Sequence, residues 1–288
     1  MPVLGTVGFV GCGTMSSAIV RGLCTLDTPP RSVVVSPRNA EKAAALQAAF
    51  PSLVRVAASN QEVVDSSDTV FIGVLPAKTE EVARALNFDA RHTVVSLVST
   101  APLKSLREWC AAVPDASVVR AIPLPPVAKH VGATVMTPRH PDIVALFDSL
   151  GTAVPVDDET QMQKLMCMTC LMGQLYAQQR AAQQWLGAQG IEAATAGRYV
   201  GAIFHSVTVD SAKAEADTFE HLVAEQTPGG LNEQVIRELT EAGMYTALTD
   251  SLDGVLARIQ QRERPNLKKR PYESVVQTEG DEGVLEDP

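Results

Sequence analysis

Gly8-Phe9-Val10-Gly11-Cys12-Gly13-Thr14-Met15-Ser16 decides how the first half of the chain folds. It closes an apolar run that begins at Val3 and opens a pattern with Ala18, Ile19 and Leu23 at helical spacing. A strand that turns at glycines directly into a helix has the Gly-x-Gly-x-x-Ser form of a dinucleotide-binding turn. Glycines let the backbone come close to a pyrophosphate, and the helix start offers unpaired N–H groups and the positive end of its dipole. Such a turn is weak evidence alone and gains weight only at the head of a βα series.

The chain continues with that series. Val-rich runs of strand length recur at residues 32–36, 54–57, 69–74, 93–97 and 118–122, and Ala- and Leu-rich helical patterns fill 40–50 and 79–86. A last unit runs from 132–137 through a helix beginning near Pro141 to 153–156. Near-continuous apolar strands alternating with helices require a parallel sheet covered on both faces. Residues 1–156 are therefore predicted to form a Rossmann-type, doubly wound α/β domain.

After Asp157 the pattern becomes helical. Met162, Leu165, Met166, Thr169, Leu175 and Tyr176 mark one long helix to about Leu186, and Ala196, Val200, Ile203, Val207 and Ala212 mark another after Gly190. No strand signal interrupts before Pro228, which predicts an all-helical domain over 157–264. Helices this apolar use an outer face to pair, so a homodimer, or a higher homo-oligomer built on it, is expected. The stretch 265–288 has no periodicity and reads as a disordered acidic tail.

Composition narrows the function classes. The 288 residues are 45% hydrophobic, with 24 Lys and Arg against 33 Asp and Glu, a net charge of −9. Residues 1–156 carry 13 Lys and Arg against 12 Asp and Glu, whereas 157–264 carry 8 against 15. A near-neutral domain suits a phosphate-rich dinucleotide, and the overall acidity argues against a nucleic-acid partner. No apolar run reaches the roughly 18 residues of a membrane span. Five scattered cysteines and no signal-peptide pattern point to a reducing, cytoplasmic setting.

Cofactor choice should be written at the end of the second strand, where an acidic residue would bind the ribose of NAD. Val35-Ser36-Pro37-Arg38-Asn39 has no carboxylate there; Ser36 can donate a hydrogen bond and Arg38 can supply charge, which favours NADP(H) over NAD(H). In the helical half, Thr227-Pro228-Gly229-Gly230-Leu231-Asn232 precedes a helix with Val235, Ile236 and Leu239 in phase. Its N–H groups can hold a substrate carboxylate or simply close an interhelical turn, and the residues alone favour the latter. Cys167-Met168-Thr169-Cys170 reads as buried helix cysteines. The histidines lack metal-ligand spacing, so no metal is expected, and His205 reads as a core or interface residue. No Gly-x-Ser-x-Gly supports a serine hydrolase.

The ordered motif series resembles the pyrroline-5-carboxylate reductases, NAD(P)H-dependent enzymes of proline biosynthesis. The likeness runs over about residues 4–262, through Gly8 to Met15, Asn60, Val74-Leu75-Pro76, Val94-Val95-Ser96, Val118-Val119-Arg120, Pro123, Pro126, Gly132-Ala133-Thr134 and Thr227-Pro228-Gly229-Gly230. It implies that Gly11, Cys12, Gly13, Thr14 and Met15 cradle the pyrophosphate and that Ser36, Arg38 and Asn60 lie by the adenosine end. Val74, Leu75, Pro76 and Ser99 would line the path to nicotinamide, and Gly230, Leu231 and Asn232 would hold the substrate carboxylate. The implied chemistry is hydride delivery to the carbon of a cyclic C=N bond, in an intertwined helical dimer.

The departures cluster where nicotinamide and substrate should meet. Leu75 stands where the family has a lysine, Val98-Ser99-Thr100 where it has Ala-Ala-Gly, and Leu124-Pro125-Pro126 where it has Asn-Thr-Pro. Met172 and Gly173 fall in the stretch that replaces Ser-Gly-Ser-Gly-Pro-Ala-Tyr, and Leu231-Asn232 replace the residues after its Gly-Gly. Larger, drier groups predict a pyrroline-5-carboxylate reductase-like enzyme whose imine is pyrroline-5-carboxylate or a less polar relative. Two alternatives stand beside it: a catalytically weak NADP(H)-binding regulatory or scaffold dimer, and a β-hydroxyacid dehydrogenase-like enzyme using Lys164.

Overall fold

The computed structural model describes residues 5–263; the tail expected at 265–288 lies outside them. By packing, the chain parts into two compact units between Asp210 and Ser211.

The first unit is built on an eight-stranded sheet: β1 (Thr6–Val10), β2 (Ser32–Val35), β3 (Val54–Val56), β4 (Thr69–Ile72), β5 (Thr93–Ser96), β6 (Val118–Ile122), β7 (Ala133–Thr137) and β8 (Thr152–Pro155). Their order is β3-β2-β1-β4-β5-β6-β7-β8, so the chain reverses direction across the sheet between β1 and β4. That reversal opens the crevice in which doubly wound sheets bind ligands. β1 to β6 are parallel as predicted, but β7 pairs antiparallel to β6, with Arg120 opposite Thr137, and β8 then runs parallel to β7. The connection from Ile122 to Ala133 holds only a short 3-10 turn at Pro125–Lys129, and a parallel return needs about a dozen or more residues.

Alternation along the strands sends side chains to two separate cores. One face buries Val7, Phe9, Phe71 and Val95 against α1 (Thr14–Cys24), α2 (Ala40–Ala49) and α6 (Pro141–Ser149). Phe9 and Phe71 stack at 4.8 Å, and Phe147 meets Phe71 edge-on at 6.2 Å. The other face buries Val10, Val34, Val70 and Ile72 against α3 (Asn60–Asp65), α4 (Thr79–Arg84) and α5 (Leu103–Trp109). Both strand faces are covered, which is why these runs read as continuously apolar.

Three more helices complete this unit. α7 (Glu159–Met166) starts at Asp158, whose carboxylate accepts the Gln161 N–H at 2.8 Å. The single long helix predicted from 157 is interrupted by a 3-10 turn, Cys167–Cys170, before α8 (Leu171–Ala188), and α9 (Ala193–Asp210) packs on α8. The cysteine pair therefore sits in a turn: Cys167 is buried and Cys170 exposed, so burial holds for one of the two. His205 is exposed on α9.

The second unit contains α10 (Thr218–Ala224), α11 (Leu231–Glu241) and α12 (Met244–Ile259), with α11 packed on α12. Among the described residues no helix is long and apolar enough to cross a membrane.

Candidate functional site

The glycine turn sits at the C-terminal end of β1, at the point of reversal. Gly11 has φ +97°, and a Cβ there would lie 2.5 Å from the Gly73 carbonyl, so only glycine fits. A Cβ on Gly73 would lie 2.3 Å from Ser16 Oγ, so the ends of β1 and β4 cross without side chains between them. Gly13 differs: a Cβ there would meet nothing closer than 3.7 Å. The space above Gly13 is open.

Gly13 is also the N-cap of α1, with no side chain capping it. An eleven-residue helix thus begins with N–H groups that no side chain satisfies, the donor set a pyrophosphate requires. Ser16 Oγ, one turn in, is buried without a hydrogen-bond partner. The residues present fit a dinucleotide.

Ser36 lies beneath this turn. Its side chain is fully buried, and its Oγ accepts the Gly11 N–H at 3.0 Å, tying the end of β2 to the glycine turn. Cys12 is buried beside it; burial pushes its thiol up, while a contact to Ser17 and the Lys42 charge pull the other way. Thr14 is exposed, and its Oγ1 accepts from Lys42 Nζ at 3.2 Å.

Lys42 is a site residue that the sequence reading missed. Asn39 caps α2 by accepting the Lys42 N–H at 3.3 Å, which sets Lys42 in the first turn with its ammonium over the dinucleotide turn. Its position one helical turn past the strand-end loop was the available signal. Arg38 is exposed, and its charge helps hold the Glu81 carboxyl below its ordinary range, after the stronger effect of Lys78. Asn60 is half-buried at the first position of α3, which Ser59 caps.

On the other side of the crevice, Val74 Cγ1 comes within 2.9 Å of a Cβ built on Gly11, placing Val74 against the turn. Leu75 is 73% exposed and leads into the 3-10 turn at Pro76–Lys78. Ser99 follows β5, and its carbonyl accepts from Arg120 Nη2 at 2.7 Å. Arg120, 4% exposed in β6, also donates to the Glu159 carboxylate, which in turn accepts the Leu103 N–H at 2.8 Å.

The candidate substrate residues lie on helices. Met172 is 39% exposed on α8, and a Cβ on Gly173 would meet nothing within 4 Å. In the second unit Gly229 has φ +71°, Gly230 caps α11 by backbone alone, and the Gly230 N–H donates to Thr227 O at 2.9 Å. Leu231 is exposed, Asn232 donates its side-chain amide to Gln226 Oε1 at 2.8 Å, and the Glu233 carboxylate accepts the Gly229 N–H. Among the described residues no cluster of His, Cys, Asp and Glu could hold a metal.

The chain has recognisable relatives among known proteins. A family model described as "NADP oxidoreductase coenzyme F420-dependent" matches residues 6–100, the stretch from β1 to just beyond β5. The pyrroline-5-carboxylate reductase of Escherichia coli is 27% identical over 265 residues, covering 85% of this chain and 94% of that one. Over most of its length the chain is similar to pyrroline-5-carboxylate reductases. The fold agrees as well. The structure of a pyrroline-5-carboxylate reductase from Coxiella burnetii superposes with a TM-score of 0.75 at 19% identity, over 90% of this chain and 97% of that one. An imine reductase from Aspergillus terreus superposes with a TM-score of 0.50 at 17% identity, over 78% and 77%.

Leu75, which follows Val74, and Leu231, 81% exposed immediately after the glycine pair, both present apolar side chains to solvent.

Proposed function

We propose that this protein is an NADPH-dependent imine reductase of the pyrroline-5-carboxylate reductase type, acting on a cyclic imine. The observation that carries this reading is the uncapped start of α1 at Gly13, with Lys42 reaching over it to Thr14. The relatives matched over most of the chain supply the reaction class. A bound nicotinamide dinucleotide supplies the hydride for the C=N carbon.

The protein's own part is placement. The α1 N–H groups and Lys42 hold phosphate, and the lack of a carboxylate in the strand-end segment Val35-Ser36-Pro37-Arg38-Asn39 favours NADPH over NADH. The buried Arg120 fixes the Ser99 carbonyl, and with it the backbone that follows β5. A protonated imine needs chiefly such positioning to accept a hydride.

The functional division inferred is a nucleotide-binding part at 1–156 and a helical part at 157–264 for pairing and substrate. Tyr176, Trp185, Tyr199, Ile203 and Val207 are all more than two-fifths exposed on α8 and α9. Monomers rarely leave that much large apolar surface open, which supports a homodimer. All five cysteines are free, in keeping with the reducing cytoplasm.

The test is a panel of cyclic imines assayed with NADPH and with NADH, alongside titration of each cofactor by fluorescence. NADPH oxidation with at least one imine, and a lower Kd for NADPH than NADH, is expected. Tight NADPH binding without turnover of any imine would instead identify a nucleotide-binding dimer.

A further inference from the structure

We propose that Ser16 is a cofactor-binding residue: its hydroxyl donates a hydrogen bond to a pyrophosphate oxygen of the bound dinucleotide. This rests on the nucleotide-binding part of the reading above and adds to it a side chain that fastens the cofactor.

Ser16 stands at the third position of the Gly-x-Gly-x-x-Ser turn, where dinucleotide-binding turns ordinarily place glycine or alanine so that the helix packs closely on the strand. A hydroxyl at that packing point needs room. Gly73, which follows β4, supplies it, since a Cβ there would lie 2.3 Å from Ser16 Oγ. The hydroxyl gains nothing from the protein in return. Ser16 is 1% exposed, and its Oγ has no hydrogen-bond partner.

The other buried serines among the described residues are all satisfied. Ser36 Oγ accepts the Gly11 N–H at 3.0 Å, Ser67 Oγ donates to Val63 O at 2.6 Å, and Ser96 Oγ accepts the Val98 N–H at 3.3 Å. A helical serine commonly bonds a carbonyl one turn back, and Ser16 makes no such bond. The nearest backbone donors are also engaged, the Gly73 N–H with Val10 O at 2.9 Å and the Gly11 N–H with Ser36. A buried hydroxyl left without a partner costs free energy, and that cost is recovered when an acceptor arrives.

The acceptor is identified by where Ser16 sits. It is the third residue of α1, and the Cα–Cβ bonds of a helix lean toward its N-terminus. That end is Gly13, with no side-chain cap and open space above it, at the reversal of strand order between β1 and β4. The group that a dinucleotide presents at such a reversal is its pyrophosphate, whose oxygens are charged acceptors. An orphaned donor and uncapped N–H groups thus converge on the same anion.

The experiment uses the full chain and its Ser16→Ala variant, which installs a residue the turn ordinarily takes and removes only the hydroxyl. The Kd values of NADPH and NADH are measured by fluorescence titration, and Tm is measured without cofactor. Both Kd values should rise about tenfold, as expected for losing a hydrogen bond to a charged group, because the pyrophosphate is common to the two. Tm without cofactor should stay the same or rise, since an unsatisfied buried hydroxyl has gone. Unchanged Kd values overturn the proposal, as does a rise for NADPH alone, which would put the hydroxyl at the 2′-phosphate. Weaker binding accompanied by a clear fall in Tm also overturns it, marking Ser16 as a packing residue. If the unaltered protein binds neither dinucleotide, the nucleotide reading fails and the Ser16 assignment with it. If it binds them but reduces no imine, only the reductase reading fails, and the Kd ratios still decide for Ser16. Should Ser16→Ala not fold, Ser16→Gly removes the same hydroxyl, and the Kd values alone then decide.

Discussion

Arg120 and Glu159 form a buried ion pair that joins the middle of β6 to the first turn of α7. Arg120 is almost completely buried, and Glu159 is 30% exposed at its side chain. The pair has further partners, the Ser99 carbonyl on one side and the Leu103 N–H on the other. Arg120 Nε has none.

Removing one member of a buried pair leaves the other charge uncompensated, typically a loss of about 3–5 kcal/mol, whereas replacing both with apolar groups is often near neutral. Glu159→Gln should therefore destabilise the protein by about 2–4 kcal/mol, the lower figure reflecting its partial exposure. Arg120→Met combined with Glu159→Leu should recover at least half of that loss. Urea denaturation of the two single variants and the double variant gives the coupling. Additive losses would show that the pair acts as two independent residues.

The sheet was largely legible because its central strands are buried on both faces and leave Val-rich runs, as at Val33, Val34 and Val35. The direction of β7 was not, because hydrophobic pattern carries no information on polarity; only the shortness of the link from Ile122 to Ala133 does. The break at Cys167–Cys170 escaped notice because a 3-10 turn between two helices preserves their apolar spacing. At the candidate site the glycines were readable because their backbone geometry excludes other residues. Lys42 was not, since its significance lies in the distant Thr14 hydroxyl that its flexible side chain reaches.

The two glycines of the dinucleotide turn should behave oppositely. Gly11→Ala places a Cβ against the Gly73 carbonyl at positive φ, and such strain costs about 1–3 kcal/mol before any clash is relieved. It should lower Tm and weaken NADPH binding together. Gly13→Ala has room in the folded protein and should leave Tm within a few degrees while NADPH affinity falls at least tenfold, because the methyl occupies the space left for phosphate. Equal losses of stability in both variants would count against an open cradle at Gly13.

Lys42→Met should separate the two cofactors. Charge-assisted hydrogen bonds contribute about 1.5–3 kcal/mol, so a Lys42 contact to the extra phosphate predicts at least a tenfold rise in the Kd of NADPH with little change for NADH. Binding of NADPH should also become less sensitive to salt. A parallel loss for both cofactors would assign Lys42 to the shared pyrophosphate instead. Arg38→Ala should have the smaller effect, since Glu81 already lies within the reach of its charge.

Cys110 predicts how the fold responds to alkali. Burial pushes its thiol up to about 12 from an ordinary value of 9.0, because the thiolate would lie in an apolar core. The folded state therefore holds the proton more tightly than the unfolded chain does. The stabilisation is complete below pH 9 and is lost as pH rises toward 12, since the unfolded chain gains the ionised form first. Cys24, pushed up to about 11, acts in the same direction over a narrower window. Urea midpoints measured at intervals from pH 8 to 11 should fall, and Cys110→Ala should flatten that decline while lowering stability at pH 8 through the lost packing. A decline just as steep in the variant would place the alkaline sensitivity elsewhere.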